Sequence, residues 1–502
     1  MELEVLLKKH FGFDTFKKGQ KEAVSSILAG KNTLAVLPTG TGKSLCYQFP
    51  GYVLNGQIII ISPLLSLMQD QVEQLMQMGE KRVVALNSFL SSEERKNVLQ
   101  NLRNYKFIFI SPEMLGIPFM IRRLQELSIS LFVIDEAHCI SQWGYDFRPD
   151  YSRIGDVRKK LGNPLTLALT ATATKKVQED IIQSLHLQQF EMVESTVDRP
   201  NIAYYVEKLE DSIEKQKRVS DLVLKLQAPG IIYFSSKKAA EQVAQYLAEN
   251  GVDKVMAYHG GLDHEQRILI QQQFIYGQLD VICATSAFGM GVNKENIRYI
   301  IHYHMPMQLE SYIQEIGRAG RDGLPSVAIY LYSPWDEQLP LQLAEGELPS
   351  KQQLDWLFSK MKEHRITDGE HFSLSDELKE IGGFSEIQWR IIQHFMRQYQ
   401  DIGKLNELKS IITNYVDERL TVKKNNIFLM KKWVESNTCR REFILNYFEE
   451  APITNKVNPC CDRCGMILHD FQSLDRKNSN DERQKKWKEY LGKILIHSEM
   501  SK

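Results

Sequence analysis

The sequence has no long apolar run, no leader-like start and almost no net charge. It contains no stretch approaching the roughly 20 apolar residues of a membrane-spanning helix. Residues 1–10 also lack the basic-then-apolar layout of a signal peptide. These absences predict an intracellular protein without a membrane partner. The net charge of −1 excludes a generally basic surface, so any nucleic-acid site must rest on local clusters of charge.

The seven cysteines fall into two groups. Three stand alone beside apolar segments, which is typical of reduced, buried thiols: Cys46, Cys139 and Cys283. The other four occur late in the chain with the spacing C-x20-C-C-x2-C: Cys439, Cys460, Cys461 and Cys464. Four thiolates suit tetrahedral zinc, and a reducing cell favours zinc over a disulfide. We expect a structural zinc site, because no open ligand position is evident.

The length of 502 residues exceeds what one hydrophobic core supports and predicts three or more domains. Apolar strands alternate with helical stretches over residues 33–170, and a second such series covers residues 230–332. This alternation predicts two parallel sheets with crossover helices. The pattern breaks at V-D-R-P-N, near residues 196–205. We therefore place the first domain at residues 1–205 and the second at residues 206–334.

A phosphate-binding loop is predicted early in the first series. The strand at residues 33–37 is followed by P-T-G-T-G-K-S and then by a helix. Backbone N–H groups and the helix dipole favour phosphate at such a junction. Lys43 would reach the outer phosphates, and Ser44 would hold Mg²⁺ through its hydroxyl. Because Leu37 stands where the strict pattern has its first glycine, a glycine turn with a solvated lysine is the alternative.

Two carboxylates, Asp135 and Glu136, end the apolar strand predicted at residues 131–134. Ligands of open α/β sheets bind beyond the carboxyl ends of strands, so a nucleotide phosphate and its metal are expected here. A loop rich in aromatic residues follows directly. The sequence thus predicts acid chemistry and a base-stacking surface a few residues apart.

The second series has no phosphate loop of its own, which suggests a nucleotide held between the two sheets. Q-E-I-G-R-A-G-R, at residues 314–321, would supply cations from the second domain. Arg318 and Arg321 would share one face if this segment is helical, and the arginine fork suits a γ-phosphate that gains charge. A helix face of solvated arginines is the alternative.

Several motifs together resemble those of one protein family. The segments T-G-T-G-K-S, D-E-A-H, T-A-T-A-T, A-T-S-A-F-G-M-G-V-N-K and Q-E-I-G-R-A-G-R look like superfamily-two helicases. A-H-C-I-S-Q-W-G-Y-D-F-R-P-D-Y, at residues 137–151, and F-K-K-G-Q before the phosphate loop are similar to the RecQ family in particular, above all to its short bacterial members. The resemblance covers residues 1–332 and again residues 438–464.

The resemblance implies a 3′-to-5′ DNA helicase with two RecA-like domains and with ATP, Mg²⁺ and Zn²⁺ as cofactors. Asp135 would hold Mg²⁺ through water, Glu136 would deprotonate the attacking water, and Arg321 would act as the arginine finger. The implied catalytic residues are Lys43, Asp135, Glu136, Gln314, Arg318 and Arg321. The implied nucleotide-binding residues are Phe13, Lys17, Gln20, Thr39, Gly40, Thr41, Gly42, Lys43 and Ser44, with Phe13 and Lys17 stacking on adenine and Gln20 reading its edge. Many relatives have tyrosine and arginine at the two stacking positions, so stacking on adenine is expected to be weaker with Phe13 and Lys17.

The resemblance also implies a DNA path and a set of partners. The implied DNA-contacting or coupling residues are Ser62, Trp143, Phe147, Arg148, His259 and Thr285. A core role is the alternative for Trp143. The implied partners are single-stranded DNA, tailed or branched duplexes and a single-stranded-DNA-binding protein, for a monomer associated with the bacterial nucleoid in the cytoplasm. The alternative functions are a DNA translocase that does not separate strands, a nucleotide-gated binding module and an RNA helicase.

Residues 335–420 depart from the usual RecQ layout, in which the zinc region closely follows the motor. Two short helices are predicted at residues 373–381 and 385–395, and Ser385 with Gln388 has capping-box spacing. This pattern favours a helix-turn-helix in a winged-helix-like module, with a plain helical packing domain as the alternative. We place the zinc-binding subdomain at residues 421–470 and a charged tail at residues 471–502.

Overall fold

The computed structural model describes residues 3–63, 65–87, 90–141, 148–289, 294–363, 376–399, 405–451 and 457–473. Within these residues the chain forms two all-parallel sheets, of seven and six strands, followed by helices. The predicted fold class, two RecA-like sheet domains with a helical C-terminal region, is confirmed. None of the described helices combines the length and apolar character needed to cross a membrane.

The first sheet has the strand order β3-β4-β2-β5-β6-β1-β7. Continuous apolar runs such as residues 58–61 and 107–110 form its middle strands, because helices cover both faces. Its strands are β1 (Asn32–Val36), β2 (Gln57–Ile61), β3 (Val83–Leu86), β4 (Phe107–Ile110), β5 (Ile129–Ile134), β6 (Thr166–Thr170) and β7 (Phe190–Glu194). Its helices are α1 (Leu3–Phe11), α2 (Gln20–Leu28), α3 (Leu45–Val53), α4 (Leu65–Gln77), α5 (Ser92–Gln100), α6 (Pro112–Leu115), α7 (Pro118–Gln125), α8 (Ile154–Lys160) and α9 (Lys175–Ser184).

The second sheet has the order β10-β11-β9-β12-β13-β8. Its strands are β8 (Ile202–Lys208), β9 (Gly230–Tyr233), β10 (Val255–Tyr258), β11 (Val281–Ala284), β12 (Tyr299–His302) and β13 (Ser326–Tyr332). Its helices are α10 (Ser212–Lys225), α11 (Lys237–Glu249), α12 (His264–Ile275) and α13 (Leu309–Ile316). The boundary that we expected between residues 205 and 206 therefore falls inside β8.

Helices form the described remainder of the chain: α14 (Gln338–Gly346), α15 (Lys351–Glu363), α16 (Asp376–Ile381), α17 (Glu386–Gln398), α18 (Leu405–Glu435) and α19 (Arg440–Tyr447). The first half of α18 shares an apolar core with α15 and α17. Its second half inserts Ile427, Met430 and Trp433 into the core beneath the second sheet. One long helix thus joins the insert to the zinc region, across the boundary that we placed at residue 420.

The insert matches its predicted helices closely. Helix α17 begins with a capping box in which Ser385 Oγ accepts from Gln388 N and Gln388 Oε1 accepts from Ser385 N. The described residues of the insert form helices joined by turns and include no strand, so they contain no β-wing. Helix α17 packs against the 3₁₀ turn Pro149–Arg153 of the first domain. The remaining 3₁₀ turns are Leu102–Asn104, Ala137–Ile140, Asp462–Cys464 and Leu468–Phe471.

Two strands were missing from the sequence-based prediction. Strand β7 lies at the sheet edge and is half-exposed, and its acidic residues hide the apolar alternation. Strand β8 directly follows V-D-R-P-N, a segment that reads as a break in the pattern. Strand β7 has five residues, two of them acidic, whereas β8 has seven and is mostly apolar. Both strands lie at sheet edges, where they pair with β1 and β13.

Candidate functional site

The carboxyl edge of the first sheet brings together three loops that are distant in sequence. Strands β5, β6 and β1 are neighbours, so the segments that follow them lie side by side. These segments carry Asp135 and Glu136, the T-A-T-A-T motif, and the phosphate loop at residues 38–44. The predicted meeting of phosphate loop and acid pair is therefore present in the fold.

The phosphate loop has the backbone that its glycines permit. Gly40 and Gly42 have φ values of 91° and 76°, in the left-handed region that favours glycine. Helix α3 begins at Leu45, directly after Ser44, which places loose N–H groups at the loop. Lys43 Nζ lies 3.6 Å from Glu136 Oε1, so the lysine already reaches the acid pair.

The acid pair is buried beside this lysine. Glu136 N donates to Asp135 Oδ1 at 3.0 Å. Burial and the adjacent charge of Glu136 raise the pKa of Asp135 to about 7. Nδ1 of His138 lies 3.4 Å from Glu136 Oε2 and 3.0 Å from Thr170 Oγ1. His138 thus lies between Glu136 and the T-A-T-A-T segment and bonds to the latter, and the Glu136 oxygen that has no hydrogen-bond partner among the described residues can orient a water molecule next to a bound phosphate.

The segment F-K-K-G-Q packs on the phosphate loop. Gln20 Nε2 donates to Thr41 O at 2.7 Å and to Gly42 O at 3.0 Å. Lys17 Nζ donates to Gly40 O at 3.3 Å, and Phe13 is 54% exposed beside this region of the chain. Gln20 therefore supports the loop directly, while the adenine contacts of all three residues stay a prediction.

The predicted arginine pair lies beyond the end of a helix rather than on its face. Helix α13, which carries the buried Gln314, ends at Ile316, and Arg318 and Arg321 lie in the turns that follow. Arg318 Nη1 donates to the carbonyl of Gly289. Burial lowers the pKa of Arg321, and the neighbouring positive charges of Arg318 and Arg199 lower it further.

The two domains meet at Gly40 of the phosphate loop. A Cβ atom on Gly40 would lie 3.0 Å from Arg321 Cγ and 3.2 Å from Arg199 Nη1. Glycine is thus favoured here by its φ of 91°, and a Cβ atom would in addition require both arginine side chains to shift by a few tenths of an ångström. The arrangement brings the side chains of Arg199 in the linker and Arg321 in the second domain against the phosphate loop of the first domain.

Sequence reasoning missed Arg199. Its Nη1 donates to Thr39 O and Gly317 O at 3.1 and 3.0 Å, and its Nη2 donates to Ala319 O and Gly320 O at 3.1 and 2.8 Å. The available signal was an arginine in V-D-R-P-N, where the strand pattern breaks. That signal did not indicate which groups the side chain would contact.

The predicted coupling residues occupy several places. Trp143 and Phe147 lie outside the described residues. Arg148 Nη1 donates to Pro63 O at 2.7 Å, next to the buried Ser62 at the end of β2. His259 and Thr285 follow β10 and β11 at the carboxyl edge of the second sheet. His259 Nε2 lies 2.8 Å from Glu241 Oε1, and Thr285 N donates to Tyr258 O at 3.0 Å.

The aromatic loop is connected to the acid pair through the residues that follow it. Arg148 N donates to Cys139 O at 3.0 Å. Tyr151 Oη donates to the backbone carbonyl of Asp135 at 3.1 Å. These two bonds place the residues that directly follow the loop against the segment at the end of β5, where the carboxylates lie.

The four late cysteines converge on one point. Their Sγ atoms all lie within 4.8 Å of one another, with separations of 3.6 Å for Cys439–Cys460, 3.9 Å for Cys439–Cys461 and 3.5 Å for Cys461–Cys464. These distances are too long for disulfides and match the sulfur–sulfur distance of about 3.8 Å around tetrahedral zinc. All four cysteines are free thiols, so the site fits structural zinc.

The zinc region is bonded to the second sheet and to the linker. Tyr204 N, in β8, donates to Cys460 O at 3.0 Å. Arg441 is almost fully buried and donates to Ile202 O at 2.5 Å, with its guanidinium 4.9 Å from the ring of Tyr204. Arg441 also donates to Arg199 O in the linker at 3.1 Å, so the subdomain that carries the cysteine cluster packs on both β8 and the linker.

Three sequence families match successive parts of the chain. They are the DEAD/DEAH box helicase family at residues 17–181, the helicase conserved C-terminal domain at residues 214–323 and the RecQ zinc-binding family at residues 399–465. The last of these contains all four clustered cysteines. The families match in the same order as the two sheet domains and the cysteine-rich region follow one another in the fold.

Solved structures show the same fold at low identity. The helicase Lhr of Mycobacterium smegmatis, solved with single-stranded DNA and AMP-PNP, superposes with a TM-score of 0.55 at 21% identity, covering 68% of this chain and 49% of Lhr. The DUF1998 helicase MrfA bound to DNA gives a TM-score of 0.56 at 20% identity, covering 66% of this chain and 50% of MrfA. At this level of identity the likenesses show a shared fold.

Sequence relatives are much closer. The probable ATP-dependent DNA helicase RecS of Bacillus subtilis is 46% identical over 478 residues, which cover 95% of each chain. The ATP-dependent DNA helicase RecQ of the same species is 42% identical over 357 residues, or 70% of this chain and 60% of that protein. With the nucleotide cleft and the four-cysteine cluster in place, the chain belongs to the RecQ family of ATP-dependent DNA helicases.

Proposed function

We propose that this chain unwinds DNA while moving 3′-to-5′ along single-stranded DNA, and that it serves recombination, repair or replication-fork maintenance. The observation that carries the proposal is the cleft in which Lys43 lies beside Glu136 in the first domain while Gly40 of the phosphate loop packs against the side chain of Arg321 from the second. Two domains that hold opposite sides of one phosphate can convert hydrolysis into domain closure. Family membership supports DNA as the substrate, whereas the polarity and the pathway are our inference.

Residues from both domains act on the phosphates in this proposal. Lys43 binds the outer phosphates, and residues 39–44 hold them through backbone N–H groups. Glu136 orients and deprotonates the attacking water. Arg321 stabilises the charge that develops on the γ-phosphate, with Arg318 assisting.

The adenine is bound by the segment that leads into α2. Phe13 and Lys17 stack on the ring, and Gln20 reads its edge. The exposure of Phe13 supports this assignment, because an exposed ring is free to stack on a ligand. Lys17 N donates to Gln20 Oε1 at 2.8 Å, which fixes these two residues relative to one another.

Magnesium fits the same cleft. Asp135 is a buried carboxylate whose pKa burial raises, and Glu136 Oε2 has no hydrogen-bond partner among the described residues, so a cation would offset an unfavourable concentration of negative charge. The Ser44 hydroxyl and the Asp135 carboxylate would hold Mg²⁺, which prefers oxygen ligands. When bound, the ion would neutralise charge on the phosphates.

DNA would be sensed by the aromatic loop. The bonds from Arg148 to Pro63 and from Tyr151 to Asp135 support this assignment, because they connect the end of the loop to the hydrolytic edge. We assign base stacking to Trp143 and Phe147 and coupling to Ser62 and Arg148, with His259 and Thr285 on the DNA side of the second domain.

The insert is the proposed strand separator. Helix α17 packs on the turn that directly follows the aromatic loop. Burial and the charge of Glu113 raise the pKa of Asp150 in this turn, and Arg390 and Arg397 of α17 oppose that rise. A helical module in this position would meet the duplex where single-stranded DNA enters the motor.

The test is ATP-dependent unwinding of a 3′-tailed, a 5′-tailed and a forked duplex, with Lys43→Ala as the inactive control. We expect the 3′-tailed and forked substrates to be unwound and the 5′-tailed substrate to remain paired. Unwinding of the 5′-tailed duplex alone would overturn the proposed 3′-to-5′ direction of movement. Stimulation of ATP hydrolysis by RNA but not by DNA would overturn the assignment of DNA as the substrate.

A DNA translocase that does not separate strands is the second candidate. The observation that favours it is the helical character of the described insert, which contains no β-wing. DNA-stimulated ATP hydrolysis without strand separation on any of the three substrates would establish this alternative. A single-stranded-DNA-binding protein as partner and a monomeric state remain predictions.

A further inference from the structure

Arg199 lies between the two halves of the nucleotide cleft. It belongs to the linker that follows β7 and precedes β8. Its guanidinium donates to one carbonyl of the phosphate loop, Thr39 O, and to three carbonyls of the arginine turn, at residues 317, 319 and 320. Each terminal nitrogen makes two of these bonds. One side chain therefore bonds to both walls of the cleft.

These contacts indicate that Arg199 binds groups of the protein itself rather than the nucleotide. Both terminal nitrogens are directed at backbone carbonyls, and burial lowers the pKa of the guanidinium. Arginine presents its donors in a fixed planar fork, so four such bonds define the positions of their acceptors. The side chain thus fixes the spacing between the phosphate loop and the turn that carries Arg318 and Arg321.

The backbone of Arg199 is held from the other side by the zinc region. Arg441 Nη1 donates to Arg199 O at 3.1 Å and also to the carboxylate of Asp198. Glu450 Oε1 accepts from Val197 N at 2.8 Å. The linker cannot move along the cleft without breaking these contacts, so they fix the backbone position from which the Arg199 side chain extends.

We propose that Arg199 is a positioning residue for ATP hydrolysis, which sets the distance between the phosphate loop and Arg321 and acts through Arg321. This inference rests on the proposed function of the cleft. Misplacement of a catalytic group by about 1 Å can cost about 100-fold in rate. The effect belongs in kcat, because the arginine finger stabilises charge that develops only in the transition state.

The experiment compares Arg199→Ala, Arg199→Lys, Arg321→Ala and the double variant Arg199→Ala/Arg321→Ala in the full chain. Arg218→Ala is the matched control, since Arg218 is an arginine of the second domain that pairs with Glu207 at 2.7 Å away from the cleft. DNA-stimulated hydrolysis of radiolabelled ATP gives kcat and KM at low residual rates. Binding of a non-hydrolysable ATP analogue and thermal unfolding are measured on the same preparations.

We expect Arg199→Ala to lower kcat by about 10- to 100-fold while KM for ATP changes by less than about threefold. Arg199→Lys should be intermediate, because an ammonium group keeps the charge but not the planar fork. The double variant should stay within about threefold of Arg321→Ala, because both changes disable one function.

Three results would overturn the inference. They are an unchanged kcat in Arg199→Ala, full activity in Arg199→Lys, and multiplicative losses in the double variant. If Arg199→Ala does not fold, the lysine variant and its double with Arg321→Ala decide the question by the same criteria. A wild-type chain without DNA-stimulated hydrolysis would instead overturn the proposed function, which keeps the two failures distinct.

Discussion

Glu136 shows how much of the site depends on single residues. Its backbone has a φ of 49°, which is uncommon for a residue with a side chain. This conformation turns the chain sharply after β5. As a result one carboxylate oxygen lies near Lys43 and the other near His138. Such backbone strain is typical of functional sites.

Replacing Glu136 by glutamine should separate ATP binding from hydrolysis. The amide keeps the size of the side chain but cannot accept a proton from water, so kcat should fall by about 100- to 10,000-fold. Analogue binding should change little. The control is Glu194→Gln, which alters a surface carboxylate that pairs with Lys175 at 2.8 Å. Hydrolysis at the wild-type rate in Glu136→Gln would show that another group activates the water.

At the scale of elements, the zinc region supports the motor instead of forming a separate appendage. Cys439 precedes α19, and Arg440 and Arg441 at the start of that helix are almost fully buried. Trp433 lies near the end of α18, and its Nε1 donates to Arg440 O at 3.1 Å. Its ring centroid lies 4.7 Å from that of Tyr312 in α13. The cysteine cluster therefore stabilises helices that contact the second sheet.

Cys461→Ser should lower zinc content below one ion per chain and reduce the unfolding temperature by about 5 °C or more, because structural zinc contributes folding energy directly. DNA-stimulated ATP hydrolysis should fall as well, since Cys460 and Arg441 hold β8 and the linker. Metal analysis and thermal unfolding provide the measurements. Cys283→Ala, at a buried cysteine of β11, should keep one zinc ion even if packing weakens. Unchanged zinc content in Cys461→Ser would contradict the ligand assignment.

At the scale of the whole molecule, the two domains touch at sites besides the nucleotide cleft. Asp70 on α4 of the first domain bonds to Gln271 on α12 of the second. Burial raises the pKa of Asp70 to about 7, although the hydrogen bond from Gln271 opposes that rise. A protonated Asp70 is thus favoured when the domains are together.

This contact predicts a pH dependence with a defined sign. In the unfolded chain Asp70 ionises near 3.8, its ordinary pKa, and in the folded chain near 7. The folded state therefore binds more protons between these values, and the stability that Asp70 contributes falls as pH rises through this window. Asp70→Asn should raise the unfolding temperature relative to wild type, by about 2 °C or more, and the gain should be larger at pH 8 than at pH 5.

Thermal unfolding of both proteins at the two pH values is the measurement. Asp156→Asn, at an exposed position on α8, is the control and should show no pH-dependent difference from wild type. A gain that is equal at both pH values, or larger at pH 5, would contradict the raised pKa of Asp70.

The sequence by itself determined the local parts of the site. The phosphate loop, the acid pair and the cysteine spacing each depend on neighbouring residues, because a strand end, a glycine at positive φ or a helix start is decided over a few positions. The capping box at Ser385 was predictable for the same reason. The alternation of apolar segments likewise predicted both parallel sheets, although it missed β7 and β8.

Only the tertiary structure decided how these parts act on one another. The bonds of Arg199 join Thr39 to carbonyls at residues 317–320, and Arg441 reaches back to Asp198 from a distant part of the chain. The packing of α17 on residues 149–153 depends on a contact between separate domains as well. The physical reason is that a guanidinium bonds to whichever acceptors lie at the right distance and angle in the folded protein. Residue spacing along the chain does not specify these positions when the acceptors belong to separate domains.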